Sequence, residues 1–152
     1  MTTINTIEQK ILQMDGGEFQ KLCDAYLSMI GYGRPNSFGA VAGSNKVKKG
    51  TPDTFFERPN GKLVFAEATN QKDGIFKKLS GDLANCLNEK KTKVSITKIE
   101  EIVFCYTSQL APSEVISLKT KCEKKNIKLT LLLEFRVRRT LTKMELADKV
   151  LV

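Results

Sequence analysis

Two apolar runs joined by Pro59-Asn60-Gly61 constrain this chain more than any other feature. Asn-Gly suits a tight reversal, so Asp53 to Arg58 and Lys62 to Thr69 read as the two strands of a hairpin. Each strand carries a notable acid. Asp53 follows Pro52 at the start of the first strand, and Glu67 closes the run Leu63-Val64-Phe65-Ala66 on the second. A strand that buries four residues and then presents a carboxylate has a reason to tolerate the charge. Two carboxylates at adjacent strand ends can share one hard cation through oxygen ligands. Such a cation can orient a water and offset the charge on a phosphate. In a basic chain, that pattern points to a nuclease.

The chain is basic. Its 25 Lys and Arg outweigh 17 Asp and Glu, a net charge of +8 that favours a polyanionic partner through counterion release. Most of the lysine clusters read as ordinary solvated faces. The cluster Lys46, Lys48 and Lys49 stands apart because it shortly precedes Asp53. Its neighbours Gly43, Ser44, Asn45 and Gly50 have short side chains and no aromatic, so the loop reads either as a plain connection or as an arm contacting backbone phosphates. The glycine-rich stretch from Gly39 to Lys46 lacks the GxxxxGK[ST] spacing of a P-loop, so it gives no support to nucleotide hydrolysis within this chain.

The absence of histidine narrows the chemistry further. Ser-His-Asp and Cys-His nucleophilic sites need imidazole as base, and histidine-dependent nuclease and zinc sites need it as ligand or base. Carboxylates, lysines, a hydroxyl or a metal must do the work. Cys23, Cys86, Cys105 and Cys122 lie far apart among apolar residues without a CxxC pair, so they read as buried reduced thiols of a cytoplasmic protein. No stretch approaches the ~20 apolar residues of a membrane span, and the N-terminus lacks a signal-peptide layout.

The remaining pattern is an ordered alternation. Ile4, Ile7 and Ile11 suggest a short leading helix that Asp15-Gly16-Gly17 breaks. Phe19, Leu22, Cys23, Tyr26, Leu27 and Ile30 form one helical stripe from Glu18, stopped by Gly31-Tyr32-Gly33. Ser37 to Ala42 reads as a strand ahead of the hairpin. A helix follows from about Gly74 to Glu89, then a buried strand Ile102–Tyr106, a helix opened by Pro112, and a strand Ile127–Leu133. Such an order predicts an α/β fold with a mixed central sheet flanked by helices. Residues 1–152 read as a single domain, with a core of about 15–133 and a basic helical segment over 134–152.

The opening helix Gly17-Glu18-Phe19-Gln20-Lys21-Leu22-Cys23 with Gly31-Tyr32, the literal Pro52-Asp53 pair, and Glu67-Ala68-Thr69 together resemble the PD-(D/E)XK nuclease superfamily. The closest likeness is to its Mrr-like restriction-endonuclease branch, over roughly residues 15 to 110. That resemblance implies a restriction-endonuclease-like αβββαβ core and a magnesium- or manganese-dependent endonuclease acting on DNA. Asp53 and Glu67 would hold the cation, with the carbonyl of Ala68 as a further oxygen. Glu18 matches a position where many members carry another acid. The plain alternatives are a turn residue for Asp53, a solvent-facing strand end for Glu67, and a first-turn charge favoured by the helix dipole for Glu18.

One position departs from the family pattern: Thr69 stands where the motif lysine belongs. Strand alternation puts Glu67, Thr69 and Gln71 on one face, so Gln71 is expected to stand in, with Lys72 reaching the site only if a turn redirects it. Small nuclease domains of this kind resemble N-terminal effector modules of bacterial antiviral defence proteins, in which a sensor or NTPase region follows. Homo-oligomerisation fits that setting. A catalytically inactive nucleic-acid-binding or oligomerisation module on the same fold is the alternative.

Overall fold

The computed structural model describes residues 4–37 and 51–133. Helix α1 (Ile4–Gln13) and helix α2 (Gly16–Leu27) lead the chain. The expected break between them is also the start of α2. The Asp15 side chain accepts the Glu18 amide at 2.7 Å, and the Glu18 carboxylate accepts the Asp15 amide at 3.4 Å, so both open amides are satisfied. The stripe does not run on to Ile30 as regular α-helix, because Ser28–Tyr32 widens into a π-helical turn that ends where Gly31 takes φ 109°.

Five strands follow: β1 (Asn36–Ser37), β2 (Thr54–Glu57), β3 (Leu63–Thr69), β4 (Ile99–Tyr106) and β5 (Lys128–Leu133). They lie side by side in chain order. The β1-β2-β3 pairings are antiparallel, and β3-β4 and β4-β5 are parallel, which makes the sheet mixed. Helix α3 (Ile75–Cys86), a short α4 (Glu89–Thr92) and a 3-10 turn (Ile96–Lys98) lead from β3 to β4, and helix α5 (Pro112–Glu123) leads from β4 to β5. β4 starts three residues before the expected Ile102, because buried Ile99 continues it across the polar Glu100-Glu101 step. Among the described residues no helix is long and apolar enough to cross a membrane. Most of the expected strand Ser37–Ala42, the lysine loop and the 134–152 segment lie outside the described residues.

Side-chain alternation divides the core between the two faces of the sheet. Val64, Ala66, Val103, Cys105 and Leu132 meet Ile11, Phe19, Leu22, Cys23, Tyr26 and Leu27 of α1 and α2. Phe65, Ile102, Phe104 and Leu129 meet Ile75, Leu79, Leu83 and Cys86 of α3 and Leu118 and Cys122 of α5. The architecture is therefore α/β, a mixed sheet with helices on both faces. Parity sends Glu67, two residues after Phe65, to the α3 face.

Candidate active site

Asp53 and Glu67 meet because of strand register. Antiparallel pairing sets Thr54 opposite Ala66 and Phe55 opposite Phe65, so one further step brings Asp53 opposite Glu67. Asp53 Oδ2 accepts the Ala68 amide at 3.3 Å, which holds the carboxylate against the end of β3. From the other side Gln20 Nε2 donates to the Asp53 carbonyl at 3.3 Å and to Thr54 Oγ1 at 3.2 Å. The described structure thus brings Asp53, Glu67 and the main chain of Ala68 together.

Glu67 is no solvent-facing strand end. It is 7% exposed and is covered by α3, whose Cys86 Sγ donates to Glu67 Oε1 at 3.5 Å. Burial, then a hydrogen bond to Asp53, then the charges of Asp53 and Asp82 push its carboxyl up to about 10; the Cys86 contact works weakly the other way. Glu67 therefore holds its proton at neutral pH. Burial, followed by the charge of Glu67, raises the Cys86 thiol as well.

Two further acids surround Asp53. On α2, Asp24 Oδ2 accepts from Thr54 Oγ1 at 3.0 Å. Burial lifts the Asp24 carboxyl to about 6, with the Thr54 bond opposing and the charge of Asp53 adding. On α3, Asp82 is raised chiefly by burial, against the pull of Lys78 and with a push from Asp53. Sequence reading missed Asp24, Asp82 and Cys86. Their only signal was i, i+4 spacing: Gln20 with Asp24 on α2, and Lys78, Asp82 and Cys86 on α3.

Among the described residues neither Asp53 nor Glu67 forms an ion pair; the pairs there are Arg58–Glu100 and Lys78–Asp82. A buried carboxylate facing another with no cation between them is costly, and a divalent cation in place of the Glu67 proton would relieve it. The donors are all oxygens, which fits magnesium or manganese better than a softer metal. Among the described residues no three His, Cys, Asp or Glu side chains form a metal-holding group, so water would complete the shell, as magnesium commonly arranges.

The other nominated residues sit differently. β3 ends at Thr69, so alternation no longer governs Gln71; its Nε2 donates to the Asp73 carbonyl at 2.6 Å and its amide to Thr69 Oγ1 at 3.2 Å. That places Gln71 in the turn into α3 rather than on the face of Glu67. Lys72 is exposed in the same turn, where Ser108 Oγ donates to the carbonyls of Gln71 and Lys72, each at 3.1 Å. The Glu18 carboxylate is occupied by the capping box of α2, and the α2 acid beside β2 is Asp24. Lys46, Lys48 and Lys49 lie outside the described residues. No family model matches this chain, and no curated protein matches it either.

Proposed function

We propose that this chain is a metal-dependent endonuclease domain that hydrolyses DNA phosphodiesters. The observation that carries the reading is the meeting of two carboxylates at the ends of β2 and β3, half-buried Asp53 against Glu67 buried under α3, with no cation opposite them among the described residues. A bound divalent ion would supply Lewis acidity at the phosphate and a water acidic enough to attack. Asp53 and Glu67 would hold it, and the Ala68 main chain, fixed against Asp53, would fix the angle between them. The net charge of +8 favours a nucleic acid as substrate. Support for a restriction-endonuclease-like core comes from the element order: a helix, an antiparallel three-strand meander, a helix and a parallel strand. Service as an effector in antiviral defence follows from the family resemblance.

The second reading, a binding or oligomerisation module without catalysis, draws on the closed state of the pair. Its own proton and a thiol already cap Glu67. Supercoiled plasmid incubated with the protein and Mg2+ or Mn2+ decides between them. Nicking or linearisation that EDTA abolishes supports the nuclease. DNA binding with no cleavage under either metal favours the binding module, and cleavage of RNA alone would correct the substrate.

A further inference from the structure

Helices α3 and α5 pack on the same face of the sheet and leave a recess of about 320 Å³ between them. Ser80, Leu83, Ala84 and Leu87 line it from α3 and its C-cap, and Lys121, Lys124 and Lys125 line it from the C-terminal end of α5. The α3 residues recur every three or four positions, so they form one stripe over two turns. Leu83 is fully buried, Leu87 is half-buried, and the small Ala84 side chain is exposed. Ser80 is the odd group in this lining. Its Oγ is shut from solvent and has no hydrogen-bond partner among the described residues. Such a hydroxyl is costly unless something entering the recess pairs with it. The three lysines are exposed, and none joins an ion pair among the described residues.

This lining selects a chemistry. Leucine and alanine favour an apolar body, and three unpaired ammonium groups beside them favour an anionic head. A nucleic-acid backbone would use the lysines and gain nothing from the leucines. A docked amphipathic helix has satisfied its own backbone groups and would set apolar side chains against the Ser80 hydroxyl. A free carboxylate can enter and accept from it. Size sets the length of the body: at roughly 30 Å³ per water-sized group, the recess holds about ten of them. We propose that the recess between α3 and α5 binds a free amphiphilic anion, a carboxylate on an unbranched tail of about ten carbons. Its head accepts from Ser80 and the lysines, and its tail lies on Leu83, Ala84 and Leu87. Neither the acid pair nor catalysis enters into this site.

Calorimetric titration of the whole chain with straight-chain carboxylates, kept below their micelle concentrations, tests the site. From hexanoate to decanoate the affinity should rise about fourfold per added methylene, and dodecanoate should gain little more because the recess is full. Decanol and decylammonium carry the same tail and should bind at least about tenfold more weakly than decanoate. Ser80→Ala, and Lys121→Gln combined with Lys125→Gln, should each weaken decanoate at least about fivefold. Lys62→Gln combined with Lys119→Gln removes the same charge outside the recess and should keep the affinity within about twofold. Ala84→Phe fills the recess from an exposed helix position, so it should abolish decanoate binding with Tm nearly unchanged. The chain-length series needs no variant and stands even if one of these fails to fold. Absence of carboxylate binding overturns the proposal, and so does affinity that ignores chain length, which marks a plain basic surface. Decanol binding as tightly as decanoate overturns it too, as does unaltered affinity in Ala84→Phe. Binding confined to vesicles of phosphatidylglycerol and phosphatidylcholine, or to an acidic amphipathic peptide, replaces it with a docking surface for that partner.

Discussion

Glu67 and Glu101 both interrupt apolar strands in the middle of the sheet, and the fold treats them in opposite ways. Glu101 lies on the α1–α2 face near the start of β4, where Tyr32 Oη donates to Oε2 at 2.8 Å and Thr130 Oγ1 donates to the same oxygen. Arg58 lies over the Tyr32 ring, 5.9 Å from its centroid, and donates to the carbonyls of Gly31 and Tyr32 at 3.1 and 3.2 Å. Gly31, Tyr32, Arg58 and Glu101 also line a cavity of about 290 Å³. Among the described residues Glu67, on the other face, receives only a thiol and a second carboxyl. Supplying donors to a carboxylate makes it structural; withholding them leaves a place for a cation. The difference separates a strut from a site.

The sharpest way to break that contrast is to remove each acid and follow cleavage. Asp53→Ala or Glu67→Ala should lower plasmid cleavage at least about 100-fold, because a two-carboxylate centre loses half its protein charge. Glu101→Gln should leave the rate within about twofold. If Glu101→Gln were as damaging as Glu67→Ala, the two ends would be one functional unit and the contrast would fail.

Stability should separate the acids next, with opposite signs. In chelator, the folded state holds a proton on Glu67 up to about pH 10, whereas an unfolded glutamate releases it near 4.5. Between those values the folded state binds more protons, so stability falls as pH rises, and the penalty is absent below about 4.5. Glu67→Gln keeps the shape and removes the penalty, so it should stabilise by up to about 3 kcal/mol at pH 7 and flatten the pH dependence of urea midpoints. Mn2+ should raise the Tm of the parent and not that of Glu67→Gln. By contrast, Glu101→Gln weakens two hydrogen bonds to a charged acceptor and should cost about 1–2 kcal/mol. A destabilised Glu67→Gln would mean that its carboxyl is already supported and needs no cation.

The same contrast explains what was legible in the sequence. The α/β class, the hairpin and the acid on each strand followed from period-two alternation and the Asn-Gly turn, because local rules govern them. Their meeting followed too, since hairpin register is fixed by the turn. What surrounds Glu67 did not follow. Cys86 touches it, and Asp82 adds its charge, only through the packing angle of α3, which no local pattern encodes. Gln71 illustrates the limit from the other side. Parity would have carried it to the face of Glu67 had β3 continued, but the strand ends at Thr69, whose hydroxyl turns the chain into the α3 entry. Glu18 was ambiguous for a related reason: one sequence position suits both a capping box and an acidic site, and the cap claims it here.

The smallest expected effect concerns the hydroxyl of Tyr32. Tyr32→Phe deletes one donor to Glu101 and leaves the Thr130 bond, the Phe56 contact at 5.8 Å between ring centroids, and the Arg58 stacking in place. Burial first, and then the Glu101 carboxylate, raises the phenol well above its ordinary range, so the group remains a donor throughout the neutral and mildly alkaline range. Its removal should therefore cost about 1 kcal/mol in urea denaturation, by the same amount at pH 6 and pH 9. Mn2+ affinity should not move, because Tyr32 and the acid pair lie on opposite faces of the sheet. A loss of Mn2+ binding in Tyr32→Phe would show that strain passes through β3 and β4 from one face to the other, and the separation of strut from site would have to be abandoned.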